Sequence, residues 1–219
     1  MALIELRLFP SEPEPHDTQL HKIIKEGNYQ QIQIIIRDGV NLEKEGENFL
    51  TPLGLAASLG QISVVRLLID SGSCVNNGYY LPLILAAEIG NIDIVRILVE
   101  AGADVNAQQG NPPSISSLAM AAAYNRNKIV KYLIQIGAEV NICNCDGWTP
   151  LMYAVAKGYM DTTLILLEAK ADVNRIDSEQ YSVLDIAKQN RRFKIARLLE
   201  EMGAKHGQDL LYGRTYPFS

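Results

Sequence analysis

One ten-residue block recurs along the whole chain, and its spacing constrains the fold more than any other feature. TPLGLAASLG (51–60), LPLILAAEIG (81–90), SSLAMAAAYN (116–125) and TPLMYAVAKG (149–158) align closely. TQLHKIIKEG (18–27) and SVLDIAKQNR (182–191) match more loosely at the two ends. The six starts lie 33, 30, 35, 33 and 33 residues apart. Each block leads into an amphipathic stretch such as QISVVRLLIDSG or NIDIVRILVEAG. GSCVN (72–76), GADVN (102–106), GAEVN (137–141) and KADVN (170–174) then close the four central units.

Each unit reads as two helices and a loop. Thr18, Thr51, Ser116, Thr149 and Ser182 stand where a hydroxyl accepts from the free N–H groups of a first helical turn. Pro52, Pro82 and Pro150 follow at the first helical position, where no hydrogen bond is lost. The Ala56-Ala57, Ala86-Ala87 and Ala121-Ala122 pairs keep the first helix thin enough for close stacking. Gly27, Gly60, Gly90 and Gly158 stop it, with Asn125 and Arg191 in the same place. In the second helix Ile62, Val65, Leu68 and Ile69 recur at helical spacing, which is a core stripe. Lys170 stands where the other units end this helix with glycine, so this junction is expected to be soft. The two irregular spacings fall in loops: 76–80 is shortened, and 107–116 is lengthened and carries Pro112-Pro113.

The period and the T-P-L-H-x-A-like blocks resemble the ankyrin repeat, over about residues 18–204. The resemblance implies an all-α solenoid of six helix–turn–helix units with projecting β-hairpin loops. Residues 1–17 form an N-terminal extension with alternating Ile4, Leu6 and Leu8, and residues 205–219 an apolar C-terminal tail. Either terminus is expected to pack back on the stack or to serve as a docking peptide. The end units need a polar outer face, which Asp185, Lys188, Arg191, Arg192, Glu200 and Glu201 supply at one end.

Charge and motifs narrow the function. A net charge of −5 argues against nucleic acid or an anionic membrane as the main partner. No apolar stretch approaches the roughly 18 residues of a membrane span. The three cysteines, Cys74, Cys143 and Cys145, favour a reducing, cytoplasmic setting. The only histidines are His16, His21 and His206; His21 falls on the block's own histidine position and is read as structural. No nucleophile elbow, phosphate loop or zinc-protease motif is present, so no catalytic residue and no cofactor is expected. Glu43, Glu45 and Glu47 read as a solvated acidic tip.

What remains is surface. The resemblance places partners across the concave face made by loop tips and first helices, and a chain of this kind is expected to be a monomer in isolation that binds another protein. Carried onto this sequence, the loop positions are Phe49, Tyr79, Tyr80 and Trp148. The helix positions are Leu59, Leu85, Ile89, Met120, Tyr124, Tyr153 and Lys157. Aromatic anchors of this type are enriched at binding hot spots. Two other readings stand beside this one: a subunit of a larger, membrane-associated complex docking also through its tail, and a thiol- or metal-responsive switch at Cys143 and Cys145.

Overall fold

The computed structural model describes residues 18–110 and 114–212. The expectations for the extension (with His16), for Pro112-Pro113 and for the last seven tail residues lie outside the described residues. Six helix pairs follow one another: α1 (Gln19–Glu26) with α2 (Tyr29–Arg37), α3 (Pro52–Ser58) with α4 (Ile62–Asp70), and α5 (Pro82–Ile89) with α6 (Ile92–Glu100). Then come α7 (Ser117–Ala123) with α8 (Asn127–Gln135), α9 (Pro150–Lys157) with α10 (Met160–Glu168), and α11 (Val183–Gln189) with α12 (Phe193–Glu201). A short α13 (Gly207–Tyr212) ends the described chain. First helices pack in chain order from α1 to α11, and second helices from α2 to α10 form a matching row. The chain is an all-α stack of repeats.

The local chemistry explains the helices. The hydroxyls of Thr18, Thr51, Ser116, Thr149 and Ser182 accept from the backbone N–H three residues on. Leu81 makes no such bond, and α5 starts on Pro82 alone. Val65, Leu68, Val95, Leu98, Val130, Leu133 and Leu166 are fully buried, with the alanine pairs of the first helices beside them. Asn125, Lys170 and Arg191 take the left-handed conformation at φ +57°, +67° and +57°, at a cost of about 1 kcal/mol each for an L side chain. His21 is buried, its ring against Thr18 Oγ1 at 2.6 Å and the Leu50 carbonyl at 2.9 Å.

Three sets of contacts lock unit to unit. After the first helix, one side chain reaches back to the preceding unit's helix end. Gln61 Nε2 donates to Ile24 O at 2.8 Å, Arg126 Nε to Glu88 O at 3.0 Å and Arg192 Nε to Ala156 O at 3.2 Å. In the G-A-D-V-N segments, Asn76, Asn106, Asn141 and Asn174 each accept the backbone N–H of the equivalent segment one unit on, from Asp104, Glu139, Asp172 and Lys205. The first junction departs from this pattern: Asn41 turns inward to Glu43 N, and Glu43 Oε1 takes the Cys74 N–H at 2.8 Å instead. In α10, the fully buried Thr162 Oγ1 lies 2.8 Å from Asn125 Oδ1 and 2.6 Å from Asn127 Oδ1. A hydroxyl has one proton, so one of those carboxamides must present its amino group.

The expected hairpin loops carry little regular strand structure. Only the lengthened one pairs as strands among the described residues, β1 (Gln108–Gln109) antiparallel to β2 (Ile115–Ser116). Other tips are each closed by two backbone bonds: Gly46 N to Leu50 O with Phe49 N to Gly46 O, Asn144 N to Trp148 O with Gly147 N to Asn144 O, and Asp177 N to Tyr181 O with Gln180 N to Asp177 O. The last of these loops adds an isolated antiparallel bridge between Ile176 and Ser182, and side chains complete the turns. Asn144 Oδ1 accepts from Asp146 N and Trp148 N, and Asp177 Oδ1 from Glu179 N and Tyr181 N.

Part of the tail packs on the last unit. Asp185 Oδ2 accepts from Ser182 N, Ser182 Oγ and Gly207 N, and Oδ1 faces His206 Nδ1. Burial pushes this carboxyl up, but the bonds from His206, Gly207 and Ser182 outweigh it and hold it at about 2. Lys188 Nζ donates to His206 Nε2 at 3.2 Å, which puts the ring proton on Nδ1.

Candidate interaction surface

Leu59, Ile89 and Tyr124 occupy one equivalent position, at the exit of α3, α5 and α7, and are 48%, 46% and 46% exposed. The stacking of the first helices sets them side by side. Lys157, exposed at the end of α9, continues the row with a charge. Leu85 and Met120, one turn deeper, are half-buried. Leu85 packs over the neighbouring helix, where its Cδ1 would lie 3.5 Å from a Cβ built on Gly54.

The loop aromatics fall into two groups. Phe49 and Tyr79 have ring centroids 5.8 Å apart, and Tyr79 and Tyr80 stand edge-to-face at 4.9 Å. The shortened loop that carries the tyrosines is held from the previous unit: Glu43 Oε2 accepts from Asn77 Nδ2 at 2.7 Å and Glu45 Oε1 from Tyr79 N at 2.9 Å. Glu43 and Glu45 are therefore not a free acidic tip. The unfilled N–H groups of the neighbouring loop recruit them, while the side chain of Glu47 lies outside the described residues. In the second group Trp148 and Tyr153 lie 5.2 Å apart, both half-buried. Asn144 Nδ2 donates to Tyr153 Oη at 3.2 Å.

Two phenols of this surface, those of Tyr124 and Tyr153, are raised above the ordinary tyrosine value. The Glu88 carboxylate beside Tyr124 raises its phenol by hydrogen bonding and by charge. Burial, then Asp146 and Cys145, raise that of Tyr153, against the Asn144 bond, which lowers it.

Cys143 and Cys145 carry free thiols, as does Cys74. The Cys143 carbonyl accepts from Gln108 Nε2 at 2.8 Å, and its Sγ lies 3.8 Å from Arg175 Nη2. Among the described residues no three or more His, Cys, Asp or Glu side chains gather around a metal position. The residue between the cysteines organises the turn: Asn144 places Trp148 and Tyr153. Asn144 did not stand out in the sequence and the two glutamates read only as a solvated tip, because their partners become visible only once the loops are stacked.

The family model described as ankyrin repeats (3 copies) matches residues 13–109 and again 118–209, three helix pairs in each. The chain belongs to the ankyrin-repeat family. Its members are in general protein–protein interaction modules. No curated protein sequence matches the chain. No helix among the described residues is long and apolar enough to cross a membrane.

Proposed function

We propose that this protein is a non-catalytic scaffold that binds a partner protein across the face formed by its first helices and loop tips. It acts as a monomer in the cytoplasm, a reading supported by the net charge and by its three free thiols. The carrying observation is the row of Leu59, Ile89 and Tyr124, nearly half exposed at equivalent positions in consecutive units. Nothing in the packing of the fold calls for three large apolar side chains there, and a contiguous strip of this kind marks an interaction site. Phe49, Tyr79 and Tyr80 extend it toward the loops, Trp148, Tyr153 and Lys157 toward the C-terminal units, and Leu85 and Met120 form its floor.

The test is affinity capture with the wild type and a Leu59→Ala/Ile89→Ala/Tyr124→Ala variant, with bound proteins identified by mass spectrometry. These exposed side chains leave the core untouched, so circular dichroism should be unchanged. A partner recovered by the wild type should fall about tenfold or more in the variant, as for hot-spot truncations. Equal recovery of every partner by both would refute the assignment.

A further inference from the structure

We propose that the cleft between the fifth and sixth units seats a basic side chain, arginine or lysine, of a partner polypeptide. Its volume is about 260 Å³ and its walls include Asp146, Trp148, Asp177, Glu179 and Tyr181, with the buried Ile186 among them. Among the described residues neither a lysine nor an arginine lines it. That volume lies below the range of roughly 300–1,000 Å³ typical of small-molecule sites, and suits a single side chain.

Three observations point to a cation. First, two aromatic residues, Trp148 and Tyr181, stand among carboxylates, and a cation gains on an aromatic face as well as on a carboxylate. Second, Asp177 is only 8% exposed, yet just one of its oxygens is occupied. Oδ1 takes the N–H groups of Glu179 and Tyr181, while Oδ2 has no hydrogen-bond partner among the described residues. Asp177 lines the cleft, so this oxygen is open to a donor there, which an arriving guanidinium or ammonium supplies. Third, carboxylates continue next door, with Lys188 at their edge already paired with Glu200 and His206. The adjoining pocket of about 390 Å³ shares Glu179 and Tyr181 and adds Asp185 and Asp209, with His206 its one basic residue among the described ones. His206 is already engaged with Asp185.

The inference rests on the first-helix-face reading for the chain that delivers the cation, since the cleft continues that face past Lys157. The binding step itself can be measured without that chain. Trp148 is the only tryptophan in the sequence, so its emission reports on the cleft.

The full chain is titrated with an acetylated, amidated Gly-Gly-Arg-Gly-Gly peptide and, in parallel, with its citrulline counterpart, which keeps the shape and lacks the charge. The arginine peptide should produce a saturable change in Trp148 emission that weakens as salt rises. The citrulline peptide should bind about tenfold more weakly or worse. So should the arginine peptide on an Asp146→Asn/Glu179→Gln variant, which spares the Asp177 bonds and whose fold is checked by circular dichroism. Equal responses to the two peptides, unchanged affinity in the variant, or no saturable change up to roughly 10 mM would each overturn the proposal. Those results would leave the row of Leu59, Ile89 and Tyr124 untouched. Conversely, a positive titration beside unaltered capture by the triple variant would refute the row and keep the cleft.

Discussion

Gly90 and Gly102 offer a controlled test of how the units are locked together. Both are left-handed, at φ +92° and +90°. A Cβ on Gly102 would meet nothing within 4 Å, whereas one on Gly90 would lie 2.7 Å from Arg126 Nε and 2.8 Å from its Cδ. Gly102→Ala therefore isolates the backbone term, a loss of about 1 kcal/mol. Gly90→Ala carries the same term and also evicts the guanidinium from the Glu88 carbonyl, 3.0 Å away at the end of α5. A hydrogen bond from a charged donor contributes about 1.5–3 kcal/mol, which we discount to about 1–2 kcal/mol because Arg126 is half-exposed. The expected losses are thus about 1 kcal/mol for Gly102→Ala and about 2–3 kcal/mol for Gly90→Ala.

Arg126→Ala removes the obstacle along with the bond. In that background Gly90→Ala should fall back to about 1 kcal/mol, giving a coupling of about 1–2 kcal/mol between the two positions. Urea unfolding followed by circular dichroism and by tryptophan emission measures all four states. Coincident transitions and a constant denaturant slope establish that one free energy describes each. Equal losses for the two glycine variants, or a Gly90→Ala effect that survives Arg126→Ala, would show that the arginine clamp does not couple the third and fourth units.

Two further outcomes follow from the polar contacts. Thr162→Val keeps the side-chain shape but leaves Asn125 and Asn127 without their shared, fully buried partner. It should destabilise by about 1–3 kcal/mol in a thermal or urea melt, and a loss below about 0.5 kcal/mol would mean that the bridge is replaceable by water. Asp185 titrates at about 2 in the folded chain instead of the usual 3.8. A depressed carboxyl stabilises the fold above its unfolded value and loses that contribution as pH falls from about 4 through 2, by at most about 2 kcal/mol. Asp185→Asn should flatten this segment of the stability–pH curve relative to wild type, and parallel curves would rule the contribution out.

The parts of the fold legible in the sequence are those decided within a few residues. A hydroxyl before a proline, a glycine after an alanine-rich turn and an apolar stripe at helical spacing each act on their own helix, so repetition exposed them. The clamps of Gln61, Arg126 and Arg192 are not local: their acceptors lie 37, 38 and 36 residues back. Nothing in a single unit shows that these positions are special. The same holds for Glu43, whose charge reads as solvation until the Cys74 N–H is brought against it. Cysteine chemistry drew attention to Cys143 and Cys145, while the shape of their loop is set by Asn144 between them. Hairpins were expected from the resemblance, but how far each loop pairs beyond its tip is not set by alternation alone.

The exposed residues are not equal witnesses for binding, and backbone strain helps to rank them. Phe49 is left-handed at φ +58°, in the place within its loop that Gly147 and Gln180 hold at +81° and +69° in theirs. A conformation costing about 1 kcal/mol for a bulky residue invites a functional explanation. The fold already supplies one: the ring packs on Tyr79, and an aromatic pair returns about 0.5–1.5 kcal/mol. Phe49 thus recovers its strain within the molecule, and its conformation alone does not require a partner. Trp148 and Tyr153 likewise have each other and the Asn144 bond. Leu59 and Ile89 have no such return. They hold apolar surface in water at helix ends that polar residues would serve equally well. Because the clamps between units fix those helix ends before any encounter, a partner covering them meets a surface with little left to order. The functional reading therefore rests on the plain aliphatic row more than on the aromatics beside it.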